Sequence, residues 1–125
     1  MHVLENLPGY LQKRAIILTD LGINNCAWSS EDALAVIAKL MERDVAILGG
    51  DVLWLVDDGI IQPTYDTWYL TKESQWSWQD YVMQSGDCAR NYILSYSEKN
   101  EEKDCIFSLV TATEEQFAKL NTVGS

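Results

Sequence analysis

Long apolar runs are missing from this 125-residue sequence. None approaches the roughly 18–20 residues that a helical membrane span requires. The opening MHVLENLPGY has no basic start, and Glu5, Asn6, Pro8 and Gly9 interrupt any apolar stretch. It therefore does not read as a signal peptide, and the expected compartment is the cytoplasm. Histidine is nearly absent: the one copy, His2, sits beside the first residue. No Ser–His–acid or Cys–His pair can be assembled around a core histidine. Cysteine is sparse and odd in number, with Cys26, Cys88 and Cys105 far apart and no CxxC. That suggests neither a zinc site nor a disulfide framework, leaving small buried thiols as the plain reading and a reactive thiol as the sharper one. GxSxG, HExxH and the phosphate-loop pattern do not occur. Cations are also scarce, at 9 Lys+Arg against 19 Asp+Glu, for a net charge of −10. Such a surface repels phosphates, which disfavours nucleic acid and anionic membranes and favours a basic partner. Only two prolines, Pro8 and Pro63, punctuate the chain. There is no linker, repeat or low-complexity tract, so residues 1–125 read as one domain with a core of ordinary apolar content.

What is present orders itself into periodic segments. Leu7, Leu11, Leu18 and Leu21, with Pro8 in the first turn and Gly22 as a stop, predict a helix over about 7–21. Residues 23–28 read as a loop. Ser29 or Ser30 caps a second helix, with Glu31 and Asp32 opposing the helix dipole and Ala33, Leu34, Ile37, Leu40 and Met41 on one face. The period then falls to two. Val45–Leu48 and Val52–Val56 predict strands separated by Gly49-Gly50-Asp51, read as a β-bulge or strand junction using unusual glycine backbone angles. Asp57-Asp58-Gly59 reads as a tight turn into further β-rich sequence through Leu70, with Pro63 marking an edge or a bulge. Ser77 and Asp80 form a cap for a long helix bearing Tyr81, Val82, Ser85, Ala89, Tyr92, Ile93 and Tyr96. Residues 97–104 read as a loop, 105–111 as a strand, and Thr113 with Gln116 as the capping box of a last helix. The expectation is α+β: an antiparallel sheet of about four strands packed by helices.

Carboxylates are the only abundant reactive groups. Two of the hairpin acids could serve a small carboxylate-dependent hydrolase, although an aspartate in a DDG turn is also the ordinary residue for that turn. Calcium lacks its loop of about 12 residues with alternating oxygen ligands; neither metal nor cofactor is expected. Tryptophan is unusually frequent at five copies, and Trp54, Trp68, Trp76 and Trp78 cluster. They either fill the seam between sheet and helix or leave one or two rings exposed beside the acids. An aromatic anchor ringed by carboxylates suits a basic protein partner. The expected partner-binding set is therefore Asp51, Asp57, Asp58, Asp66, Trp68, Trp76 and Asp80, with the acidic 98–104 loop as the alternative.

Four ordered pieces carry a resemblance. They are Asp32-Ala33-Leu34 with Ile37 and Val45-Ala46-Ile47-Leu48-Gly49-Gly50-Asp51-Val52; Thr64-Tyr65-Asp66-Thr67-Trp68-Tyr69; Trp78-Gln79-Asp80-Tyr81-Val82; and Ala89-Arg90-Asn91-Tyr92-Ile93. Together, over roughly residues 28–110, they resemble the immunity protein 40 family of bacterial polymorphic toxin systems. The resemblance implies an antitoxin without enzymatic activity or cofactor. It would bind and neutralise the C-terminal domain of a cognate toxin, as in contact-dependent growth inhibition. A basic toxin, for example a nuclease, would fit the charge. An adaptor for another basic protein is the remaining alternative.

Overall fold

The computed structural model describes residues 7–18 and 25–123. His2, Leu21, Gly22 and the first part of the predicted 23–28 loop lie outside the described residues.

The elements run α1 (Gly9–Arg14), β1 (Ile16–Ile17), β2 (Cys26–Ser29), α2 (Ser30–Glu42), β3 (Ala46–Val56), β4 (Ile60–Tyr69), α3 (Trp78–Lys99), β5 (Cys105–Ala112) and α4 (Glu114–Val123). The strands form one antiparallel sheet of five, in the order β1-β2-β5-β3-β4. The α+β expectation holds, with one strand more than expected. The first predicted helix is cut short: α1 stops at Arg14 and Ile16–Ile17 is a strand. The leucine spacing that mimicked a helix serves two different surfaces. Leu7 and Leu11 pack under α2, whereas Leu18 packs with Ala27, Leu53 and Ile106. The predicted loop likewise turns out to hold β2 from Cys26.

Helix ends follow local chemistry. Ser29 Oγ accepts the Asp32 N–H at 3.3 Å. Ser77 and Asp80 cap reciprocally, as do Thr113 and Gln116. At the end of α2, Asp44 adopts φ 58°, its N–H bonds Met41 C=O, and Val45 N–H bonds Leu40 C=O. This is a Schellman stop with aspartate where glycine is usual. Helix α3 runs three residues into the predicted 97–104 loop.

The core lies between the sheet and helices α2 and α3. Trp28, Phe107 and Val52 share one cross-strand row, and Leu109, Gly50 and Trp68 share the next. All except Gly50 belong to a cluster with Val36, Ile37, Leu40, Ala89 and Ile93. The opposite face carries Ile16, Ala27, Leu53, Leu55, Ile61 and Ile106, a cluster with no helix residue in it.

Two bulges shape the hairpin. Against β5, Ile47 pairs with Thr111 and Gly49 with Val110, so Leu48 is extra. The buried Ser85 Oγ accepts the Ile47 N–H at 2.9 Å beside this bulge. Against β4, Asp51 pairs with Thr67 and Leu53 with Pro63, which puts Thr64-Tyr65-Asp66 opposite Val52 alone. Thr64 Oγ1 donates to Val52 C=O at 2.7 Å, and Tyr65 has φ 66°. Gly49-Gly50-Asp51 is no strand junction, since β3 runs through it, but the alternative of a β-bulge holds, with one on either side; the expected unusual glycine angles do not. Neither glycine has positive φ. Glycine is required by close approach instead: a Cβ on Gly49 would overlap Trp68 C=O, and one on Gly50 would overlap Ser108 C=O and the Trp68 ring. The DDG segment is the expected turn, a 3-10 turn over Asp57–Gly59 with Gly59 at φ 77°.

Candidate functional site: an acidic hairpin and its two concavities

The hairpin β3–β4 places the predicted acids at different points rather than in one cluster. Asp57 stands exposed at the tip. The Asp58 side chain lies outside the described residues. Asp51 is exposed on the helix-free face, between Thr67 of β4 and Ser108 of β5. Asp66 is exposed at the β4 bulge and accepts a hydrogen bond from Tyr96 OH at 2.7 Å. Burial first, and then this bond to Asp66, push the Tyr96 hydroxyl up to about 12. Asp80 is exposed but committed to capping α3, where it accepts the Ser77 N–H at 3.3 Å.

The tryptophans mostly serve the core, which is the seam-filling alternative of the sequence; within the expected partner-binding set the correction falls on Trp68. Trp68 is only 8% exposed and stacks on Tyr92, with ring centroids 4.6 Å apart. Inward orientation on β4 removes it from the accessible set. Trp28 and Trp78 are buried as well. Trp76 is half-buried against Tyr81 just before α3, past the end of β4 remote from the Asp57 tip. On the hairpin the exposed aromatics are Tyr65 and Tyr69, at 88% and 79%. Sequence reasoning passed over both. The available signal was alternation: with Trp68 inward, Tyr69 must face the other way.

Two concavities flank β3. One, of about 410 Å³, lies on the helix-free face and is lined by Leu18, Asp51, Leu53, Pro63, Tyr65 and Ser108 among others. The other, of about 510 Å³, lies at the hairpin tip and brings Asp57 together with Glu101, Glu102 and Asp104. The hairpin and the acidic loop, separate candidates in the sequence, thus share one rim. Leu55 N–H bonds Asp104 C=O at 2.8 Å across that join. Lys103 Nζ sits 4.8 Å from the Trp54 ring centroid.

Cations are absent from the hairpin: no lysine or arginine occurs between Arg43 and Lys72. Lys72 Nζ is held by the Trp76 carbonyl at 2.6 Å, and Arg14 pairs with Asp32 on α2. Among the described residues there is no group of acids, histidines and cysteines able to hold a metal. No helix among them is long and apolar enough to cross a membrane. Burial raises the Cys26 thiol to about 11, and burial is also the largest influence raising Cys105. Both are inert at neutral pH; Cys88 is half-buried.

An acidic α+β protein with helices against one sheet face and a cation-free hairpin projecting from it is thereby defined. The chain belongs to the immunity protein 40 family, whose model, Immunity protein 40, matches residues 17–111. No curated protein and no solved structure matches it. Family membership gives the chain an immunity role and points to binding rather than catalysis.

Proposed function

We propose that the protein binds the C-terminal domain of a cognate bacterial toxin in the cytoplasm and neutralises it by occlusion. The acidic hairpin would form the contact surface. The carrying observation is the charge arrangement: Asp51, Asp57 and Asp66 project from a hairpin without a single cation, and Glu101, Glu102 and Asp104 extend its rim. Carboxylates so placed can stand where a basic toxin, such as a nuclease, receives phosphates. The partner is then a basic protein domain, with no direct contact to nucleic acid or membrane. Nanomolar affinity or better, about −12 kcal/mol, suits an inhibitor that must outcompete a lethal activity.

The test pairs Asp57→Lys with Glu101→Lys and measures binding to the toxin domain encoded beside this chain. Both positions are exposed, so the melting temperature should change little. Affinity should fall at least tenfold, about 1.4 kcal/mol. Intact folding with unchanged affinity rejects the hairpin-tip surface, and no complex at micromolar concentration rejects the toxin reading itself.

A further inference from the structure

We propose that the concavity beside Asp51 is a socket for one arginine side chain of the bound protein; this rests on the reading of the partner as a basic protein. The register sets Ile16, Ala27, Ser108, Asp51 and Thr67 in one row across all five strands, on the face without helices. Asp51 is the acid in that row. Its neighbours are a buried serine and a threonine, and it has no hydrogen-bond or ion-pair partner among the described residues. Leu53 and its partner Pro63 in the adjoining row, together with Leu18, line the space as an apolar floor. Tyr65, turned out by the β4 bulge at φ 66° and 88% exposed, forms a wall.

Each part matches a part of one side chain. An apolar floor accepts the methylene stem of a long cationic residue. An unpaired carboxylate accepts a guanidinium fork through two charge-assisted hydrogen bonds. An exposed tyrosine ring offers its face to the same guanidinium. A volume of about 410 Å³ leaves room for the stem and head together. Asp66, which also lines the space, has Oδ2 taken by Tyr96 OH, so Asp51 is the lining carboxylate with both oxygens open to a fork. Lysine would satisfy the charge but not the planar stacking and fork.

Two measurements on the whole protein test this. The first is an NMR titration with Nα-acetyl-L-arginine amide, using the corresponding citrulline compound as its neutral isostere. The arginine compound should shift the amides of Asp51, Thr67 and Ser108 saturably. Citrulline should bind at least tenfold more weakly, and Asp51→Asn should erase the difference. Equal responses to the two compounds, or shifts confined to Asp57 and Glu101–Asp104, overturn the socket. The second compares Asp51→Asn with the unaltered protein against the cognate toxin domain. Affinity should fall at least tenfold, mainly through faster dissociation. Tight binding that is equal in both overturns the socket and leaves the toxin reading standing. An arginine-specific response in a protein that binds no toxin domain does the reverse.

Discussion

At the scale of single residues, two side chains hold backbone or protons under constraint. Asp44 occupies the left-handed position that ends α2, and its carbonyl accepts Trp78 Nε1–H at 2.8 Å. Left-handed backbone costs a side-chain-bearing residue roughly 1–2 kcal/mol, less for aspartate than for most. Asp44→Gly keeps both hydrogen bonds, which belong to the backbone, and should stabilise the protein by about 0.5–1 kcal/mol, read as a higher denaturant midpoint at unchanged slope. Tyr96 contributes to stability on the alkaline side, as do Tyr81 and Tyr92, which burial also raises. The folded Tyr96 hydroxyl is raised to about 12 from an ordinary value of 10.0. The unfolded chain therefore releases this proton first, and the stabilising contribution is whole below pH 10, then lost as pH climbs toward 12. Unfolding measured across that window should show stability falling with pH, and more gently in Tyr96→Phe. Trp68 shows how far residue type alone misleads. Tryptophan beside acids suggested an anchor, yet the ring is needed over Gly50 and against Tyr92. What decides is the side of the strand it faces, and the glycine pair opposite was the clue that something large lay across it.

Elements whose limits depend on neighbours in the chain were legible in the sequence. The Ser77–Asp80 and Thr113–Gln116 boxes are satisfied within one helical turn, and both appear where the residues predict them. Strands β1 and β2 were not legible, because two and four residues become strands only through distant partners: Ile16 with Ala27, and Trp28 with Phe107. The bulges are equally non-local. Nothing around Ile47 announces that its N–H will be taken by a serine from α3. Ser85→Ala should therefore cost more than an ordinary surface change, about 1–3 kcal/mol, because it leaves a buried N–H without an acceptor. Denaturant unfolding of that variant checks it; Ser85→Cys, which keeps a weak acceptor, should lie between. At the exposed edge, Pro63 and the left-handed Tyr65 interrupt β4, which discourages pairing with a second sheet.

For the molecule as a whole, cations are unevenly placed. Lys13, Arg14, Lys39, Arg90, Lys99 and Lys119 ride on helices among acids, while the hairpin carries acids alone. Association with a basic toxin domain should accordingly slow as salt shortens the screening length toward about 3 Å at 1 M, with dissociation less affected. Stopped-flow rates at several ionic strengths check this, and an association rate indifferent to salt would contradict it. The acidity was plain from composition, but the meeting of Asp57 with Glu101–Asp104 was not, since it requires β5 to lie beside β3. That placement governs how the molecule comes into being. The last strand made, β5, is the middle of the sheet, bonded to β2 on one side and β3 on the other. A nascent chain ending before Cys105 holds two separate strand pairs and no continuous sheet. Truncation after Asp104 should abolish cooperative unfolding. During synthesis, at about 5–20 residues per second, the row that carries Asp51 stays incomplete until Ser108 is in place, so the proposed binding face matures only after translation has passed the final strand.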